Sequence, residues 1–206
     1  MTASTMHGRV FELIGGHPAL DLVNTLDCRF RVSGAGELLG SYLDVVRFTR
    51  QSGLMTAAQA RRLRGINAAA GLRVVKNVRE LRETAAQVFY EALAGGRPTP
   101  SGLKRLESFF REARSHRRLE WRAPRLKWEL AESPLSPELP LWILSLTTEQ
   151  LMESEDMQRL RACDNPECRW LFLDTSKNHT RRWCVMKICG NRMKARRFKA
   201  LHRSDS

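Results

Sequence analysis

The spacing of hydrophobic and polar positions changes several times along the chain, and each change predicts an element. Arg9-Val10-Phe11-Glu12-Leu13-Ile14-Gly15 predicts a short strand, broken by Gly15-Gly16-His17-Pro18. In Ala19 to Leu26, Leu22 and Leu26 sit four apart, which predicts a short helix; His17, before proline, reads as a loop residue. Residues 31–36 hold small residues and two glycines and read as a loop. A helix over 37–51 would bury Leu39, Leu43 and Val46, widened by Leu38, Tyr42 and Val45. Thr56-Ala57-Ala58-Gln59 is a capping box that opens a helix near 57–66. Val74, Val78, Leu81, Ala85, Val88 and Ala92 recur at alternating spacings of four and three, so the longest helix spans about 72–94. Its stripe reads as a core face rather than a dimer seam. Gly95-Gly96-Arg97-Pro98 stops it. Ser101 then caps a helix carrying Leu103, Leu106, Phe110 and Ala113.

From Leu119 the period drops to two. Leu119, Trp121 and Ala123 alternate with polar residues, as do Leu126, Trp128 and Leu130 after Pro124-Arg125. This predicts a β-hairpin, with its tryptophans in the core rather than on a base-stacking platform. Residues 132–137 read as a linker, and 139–154 as a helix with Leu141, Leu144, Thr148 and Leu151 on one stripe. The expected fold is α+β: a mainly α-helical N-terminal domain with a β-hairpin over 1–158, and a C-terminal treble-clef-like zinc finger over 159–206. About 150 residues normally suffice for an independent core, so the first domain is expected to keep its fold without the finger.

The finger rests on four cysteines. Cys163 and Cys168 are spaced Cys-x4-Cys, and the same spacing returns in Cys184 and Cys189 after fifteen residues. Two close pairs suit a tetrahedral zinc held by four thiolates. Disulfides fit poorly, because Met1 to Gly8 lacks the regions of a secretory signal and a reducing cytoplasm is expected. His179 lies between the pairs as a rival ligand, set aside because both pairs are complete. Cys28 is alone and reads as a small buried side chain. Trp170 to Leu173 predicts a strand, Asp174 to Asn178 a turn, and Arg181-Arg182-Trp183 a return arm, with Cys184 and Cys189 opening a helix.

Charge adds a partner. Net charge is +13, and residues 161–206 carry +8 of it with 12 basic and 4 acidic residues. Clustering of this kind favours a polyanion, and nucleic acid is the usual one. On a helix over 190–203, Arg192, Arg196, Lys199 and Arg203 form one stripe, with Arg181 and Arg182 adding to it from the return arm. Ala195, Phe198 and Leu201 would pack under the finger, and Asn191 would hold the knuckle by backbone hydrogen bonds. No apolar run approaches the roughly 20 residues of a membrane helix. No glycine-rich phosphate loop, nucleophile elbow or metal-binding His-Glu helix is present, and four cysteines close a zinc shell, so an enzyme is not expected. Asp21, Asn24, Asp27 and Arg29 either line a small ligand pocket or serve as helix caps and ion pairs; capping is the favoured role.

Arg182-Trp183-Cys184, Met186, Cys189-Gly190-Asn191-Arg192 and Lys194 resemble the bacterial CGNR zinc-finger family, named for that tetrapeptide. Leu20-Asp21-Leu22-Val23-Asn24-Thr25 resembles the start of the ABATE domain that precedes this finger. Together the two cover nearly the whole chain. One departure is His17-Pro18, which stands where the family has a basic residue. The resemblance implies zinc on Cys163, Cys168, Cys184 and Cys189, and a stress-related transcription regulator. The expected function is therefore DNA binding through the finger, with a small-molecule effector or homodimerisation assigned to the first domain. The alternatives are a zinc-stapled module for a protein or RNA partner, and a small-molecule-binding protein whose finger is only structural.

Overall fold

The computed structural model describes residues 10–131 and 135–203, with side chains through residue 200. Seven α-helices are present among the described residues: α1 (Pro18–Asn24), α2 (Tyr42–Gln51), α3 (Ala57–Arg62), α4 (Ala68–Leu93), α5 (Pro100–Ser115), α6 (Leu139–Glu153) and α7 (Asn191–Arg203). Six strands form three separate antiparallel pairs: β1 (Leu26–Asp27) with β2 (Gly36–Glu37), β3 (Arg117–Arg122) with β4 (Arg125–Leu130), and β5 (Leu160–Ala162) with β6 (Leu171–Leu173). The architecture is mainly helical α+β, as the periodicities predict.

Local chemistry sets the helix starts. His17 caps α1, its Nδ1 accepting from the Ala19 N–H at 3.2 Å, with Pro18 in the first turn. The Thr56–Gln59 capping box opens α3 as the sequence indicates. A second one, Ser41 with Asp44, opens α2 at Tyr42, later than expected. Leu39 is therefore buried from the preceding loop, and Leu43 turns outward, while Val45, Val46 and Phe48 face the core. Thr99 caps α5, with Pro100 at its first position, so Ser101 lies inside the helix. Leu103 is exposed, and Phe109 takes a core place that the stripe did not include.

The centre of the body is α6. It is buried on nearly every side and packs against α1, α2, α4 and α5. Its Ser145, Thr147 and Thr148 hydroxyls donate to carbonyls one turn back, at 2.8 Å each, so no polar atom is stranded. The α4 stripe Val74, Val78, Leu81, Ala85 and Val88 is buried against it, with Ala92 less so.

Two expectations fail. Residues 10–14 form no strand; Phe11 instead plugs the core edge-on to Phe48, centroids 5.3 Å apart. The β3–β4 hairpin forms from the expected strands, but its tryptophans are exposed. Period two separates two faces without saying that either is covered. The linker residues 132–134 lie outside the described residues. The first domain also shares its core with the finger. Leu160, Leu171 and Leu173, from the finger's strands, belong to the same buried cluster as Leu20, Leu22, Val78, Leu81, Leu144 and Leu151. Body and finger pack as one unit.

Candidate metal centre and cationic finger helix

Each cysteine pair is bent by its own sequence. In the first, the Asn165 carbonyl accepts from the N–H groups of Cys168 and Arg169 at 3.0 Å, and Asn165 itself is fully buried. Arg169 takes a left-handed conformation, φ 54°, to close the turn. In the second, the Val185 carbonyl accepts from Cys189 at 2.9 Å, and a wide π turn over Met186–Gly190 leads into α7. A Cβ on Gly190 would lie 2.3 Å from Met186 Sδ and 3.1 Å from Trp183 Cδ1, so a larger residue there would have to displace the Met186 side chain. Asn191 Nδ2 donates to the Lys187 carbonyl at 3.1 Å and holds the turn, as expected.

The four sulfurs converge. All lie within 4.8 Å of one another, with Cys168–Cys184 at 3.7 Å and Cys184–Cys189 at 3.6 Å. A tetrahedron of sulfurs at the usual Zn–S distance has edges of roughly 3.8 Å. A disulfide needs about 2.05 Å, and none is formed. The sulfurs are 0–5% exposed. Hydrogen bonds from Cys168 and Cys184 hold the Cys163 thiol far below its usual range, while those two are pushed up. The thiols thus share protons that a cation would displace. Asn165 Nδ2 reaches Cys189 Sγ at 3.5 Å and supports a thiolate there. Cys163, Cys168, Cys184 and Cys189 fit zinc. His179 does not join them: its Nδ1 meets the Asp174 carbonyl at 3.1 Å. Cys28 is buried and apart from the cluster.

The candidate pocket residues are not gathered into one site. Asn24 pairs with the Leu171 backbone on both sides, donating to its carbonyl and accepting from its N–H, each at 2.9 Å. Asp21 accepts from the Gly15 N–H at 2.7 Å, and the Gly15 carbonyl accepts from Leu173 at 2.8 Å. Burial pushes the Asp21 carboxyl up to about 6. These two residues clamp α1 to β6. Arg29 pairs with Glu83 and donates to the Val23 carbonyl. Asp27 alone of the four lines a cleft, of about 390 Å³, at the seam between body and finger. Its other walls include Cys28, Arg31, Trp170, Ile188 and Arg192. No local pattern signals the Asn24 clamp, because its partner is backbone 147 residues away.

The cationic residues divide into two groups. Arg181 is structural: it donates to the Trp183 and Cys184 carbonyls and lies 4.3 Å over the Phe172 ring. Its guanidinium is engaged within the finger. Arg182 pairs with Asp164 at 2.6 Å, and Arg196 with Glu167 at 2.7 Å, each stapling to the first knuckle. Arg192 and Lys199 are exposed on α7 and make no ion pair among the described residues; Lys194 and Arg197 share this state and fall outside the expected stripe. Ala195 and Phe198 are exposed rather than packed under the finger, so α7 stands out from it on nearly all sides. The Arg203 and Leu201 side chains lie outside the described residues.

A four-cysteine knuckle pair opening a helix, seated on a helical body, defines a zinc-finger protein with a fused α+β domain. Residues 159–202 match the CGNR zinc finger, and residues 16–153 match ABATE, described as "Putative stress-induced transcription regulator". The ABATE match spans most of the chain, and the chain belongs to that family. No curated protein matches it in sequence. Among the described residues no helix is long and apolar enough to cross a membrane.

Proposed function

We propose that this chain is a DNA-binding transcription regulator whose zinc finger presents α7 to the phosphate backbone. The observation that carries this reading is the outward stand of α7, with Arg192, Lys194, Arg197 and Lys199 exposed and without ion pairs among the described residues. The zinc-built knuckle fixes the helix, so these charges are held on a defined element. With four thiolates around zinc contributing a net −2, the finger segment still carries roughly +6. A small effector, on the same reading, would occupy the seam cleft, where Arg31 of the body and Arg192 of the finger both reach it.

The test is duplex binding as a function of salt. If all four free cations engage phosphates, log Kd against log salt has a slope of about 3.6, and each single Ala variant lowers it by about 0.9. Arg181→Ala serves as a control, since its loss weakens the finger rather than the contact. A quadruple variant, Arg192, Lys194, Arg197 and Lys199 to Ala, that binds duplex DNA as well as the parent at low salt would retire this reading in favour of a protein partner.

A further inference from the structure

The β3–β4 hairpin shows four large apolar side chains to solvent. Leu119 is 49% exposed, Trp121 63%, Leu126 61% and Trp128 54%. The register pairs Leu119 with Trp128 and Trp121 with Leu126, so all four stand on one face in two rows. No other element packs extensively on either strand. A two-stranded hairpin alone in water is marginal, and a contiguous apolar face of this kind marks an interaction surface.

The charges say what covers it. Arg118, Glu120, Arg122, Arg125, Lys127 and Glu129 alternate with the apolar residues and point to the opposite face. On the apolar face stands one cation, Arg117, at the base of the hairpin and engaged with Trp128 through the ring and the carbonyl. A nucleic-acid strand stacked on the indoles would find its phosphates facing a nearly uncharged surface, with the cations behind it. A base platform needs cations beside its aromatics, so the hairpin face is not one. The occupant is apolar.

The geometry points to a second copy of this chain. We infer that two molecules associate through their β3–β4 faces. The Leu–Trp and Trp–Leu rows form a checkerboard. A two-fold axis in the plane of that face, along or across the strands, sets every leucine of one copy over a tryptophan of the other. Large meets smaller at all four positions, and the one charge at the contact, Arg117 at its edge, is already engaged by its own Trp128, so the face is complementary to itself. The four side chains offer roughly 400 Å² per copy, and Leu130 at the base of the hairpin adds to them. At roughly 800 Å² in all, the contact is smaller than a standard interface, so the dimer is weak and reversible, with Kd on the order of tens of micromolar. The inference is independent of the DNA reading, because α7 takes no part.

Sedimentation equilibrium of the zinc-loaded full chain, from about 1 µM to about 100 µM, tests it. A concentration-dependent monomer–dimer equilibrium is expected. Apolar contact between like-charged molecules makes it as tight or tighter when salt rises from about 50 mM to about 500 mM. Trp121→Ser with Trp128→Ser weakens it by at least about 100-fold, as does the single change Leu119→Lys. Zinc content and thermal transition stay at parent values in both, because the replaced side chains are at the surface. A parent that stays monomeric throughout overturns the proposal. So does a dimer of unchanged affinity in the variants, or a monomeric parent whose single-stranded DNA binding is lost with the tryptophans.

Discussion

Asn24→Ala is the sharpest probe of how the finger is joined to the body. In the parent, the Asn24 side chain makes two hydrogen bonds of 2.9 Å to the Leu171 backbone, and both residues are buried. Alanine removes both partners and leaves the Leu171 N–H and carbonyl without them. β6 is flanked by β5 on its other edge, and the clamp supplies the pairing that a third strand would. An unsatisfied buried backbone group costs about 1–3 kcal/mol, so two cost about 2–4 kcal/mol after partial relaxation. For a chain of this size that lowers Tm by about 5–12 °C. The assay is urea and thermal unfolding of zinc-loaded protein, followed by near-UV circular dichroism and by zinc release to an indicator. Because Leu171 sits in a core shared with α1, α4 and α6, both signals should shift together. A variant within about 0.5 kcal/mol of the parent refutes the clamp. A variant that releases zinc early while the body's signal stays put refutes the single unit.

Elemental analysis should find one zinc per chain, and Cys189→Ser should lose it. Chelation should then broaden or abolish the cooperative transition of the whole chain, not of residues 159–206 alone, since the finger's strands complete the core. Asp21 supplies a pH dependence. Its folded value, about 6, lies above its ordinary 3.8, so the folded state holds a proton that the unfolded state has released. Its contribution therefore falls as pH rises from about 4 to about 6, by at most about 3 kcal/mol. Asp21→Asn should flatten that segment of the stability–pH curve when parent and variant are compared at matched zinc occupancy; parallel curves would count against a buried, protonated Asp21.

What could be read from the chain depended on how local its cause was. The cysteine pairs were legible because two identical short spacings admit few geometries, and the sulfurs do converge. The capping box at Thr56 and the α4 stripe are likewise written within a few residues of each other. The cap of α5 lies two residues before the expected Ser101, because Pro100 occupies its first turn and leaves Thr99 as the cap. The tryptophan hairpin had the right strands and the wrong environment, since alternation fixes which side chains share a face and is silent on burial. Arg181 reads in the sequence as a surface cation, though the carbonyls that hold it lie in its own turn. Asn24 and Asp21 were read as caps or pocket residues, and their partners, Leu171 and Gly15, are backbone groups that carry no residue-type signature.

The seating of β6 in the body has a consequence for the order of events during synthesis. Helices α1, α4 and α6 all precede Leu171 and Leu173 in the chain, yet those leucines fill the space between them. The nascent chain therefore leaves the ribosome with an open seam, and closing it awaits the last quarter of the sequence. Zinc capture by Cys163 and Cys168 cannot be completed before Cys184 and Cys189 emerge. Metal loading and closure of the body thus fall at the same late moment. A cell short of zinc would then accumulate unfinished chains open to proteolysis, rather than finished bodies with a missing finger.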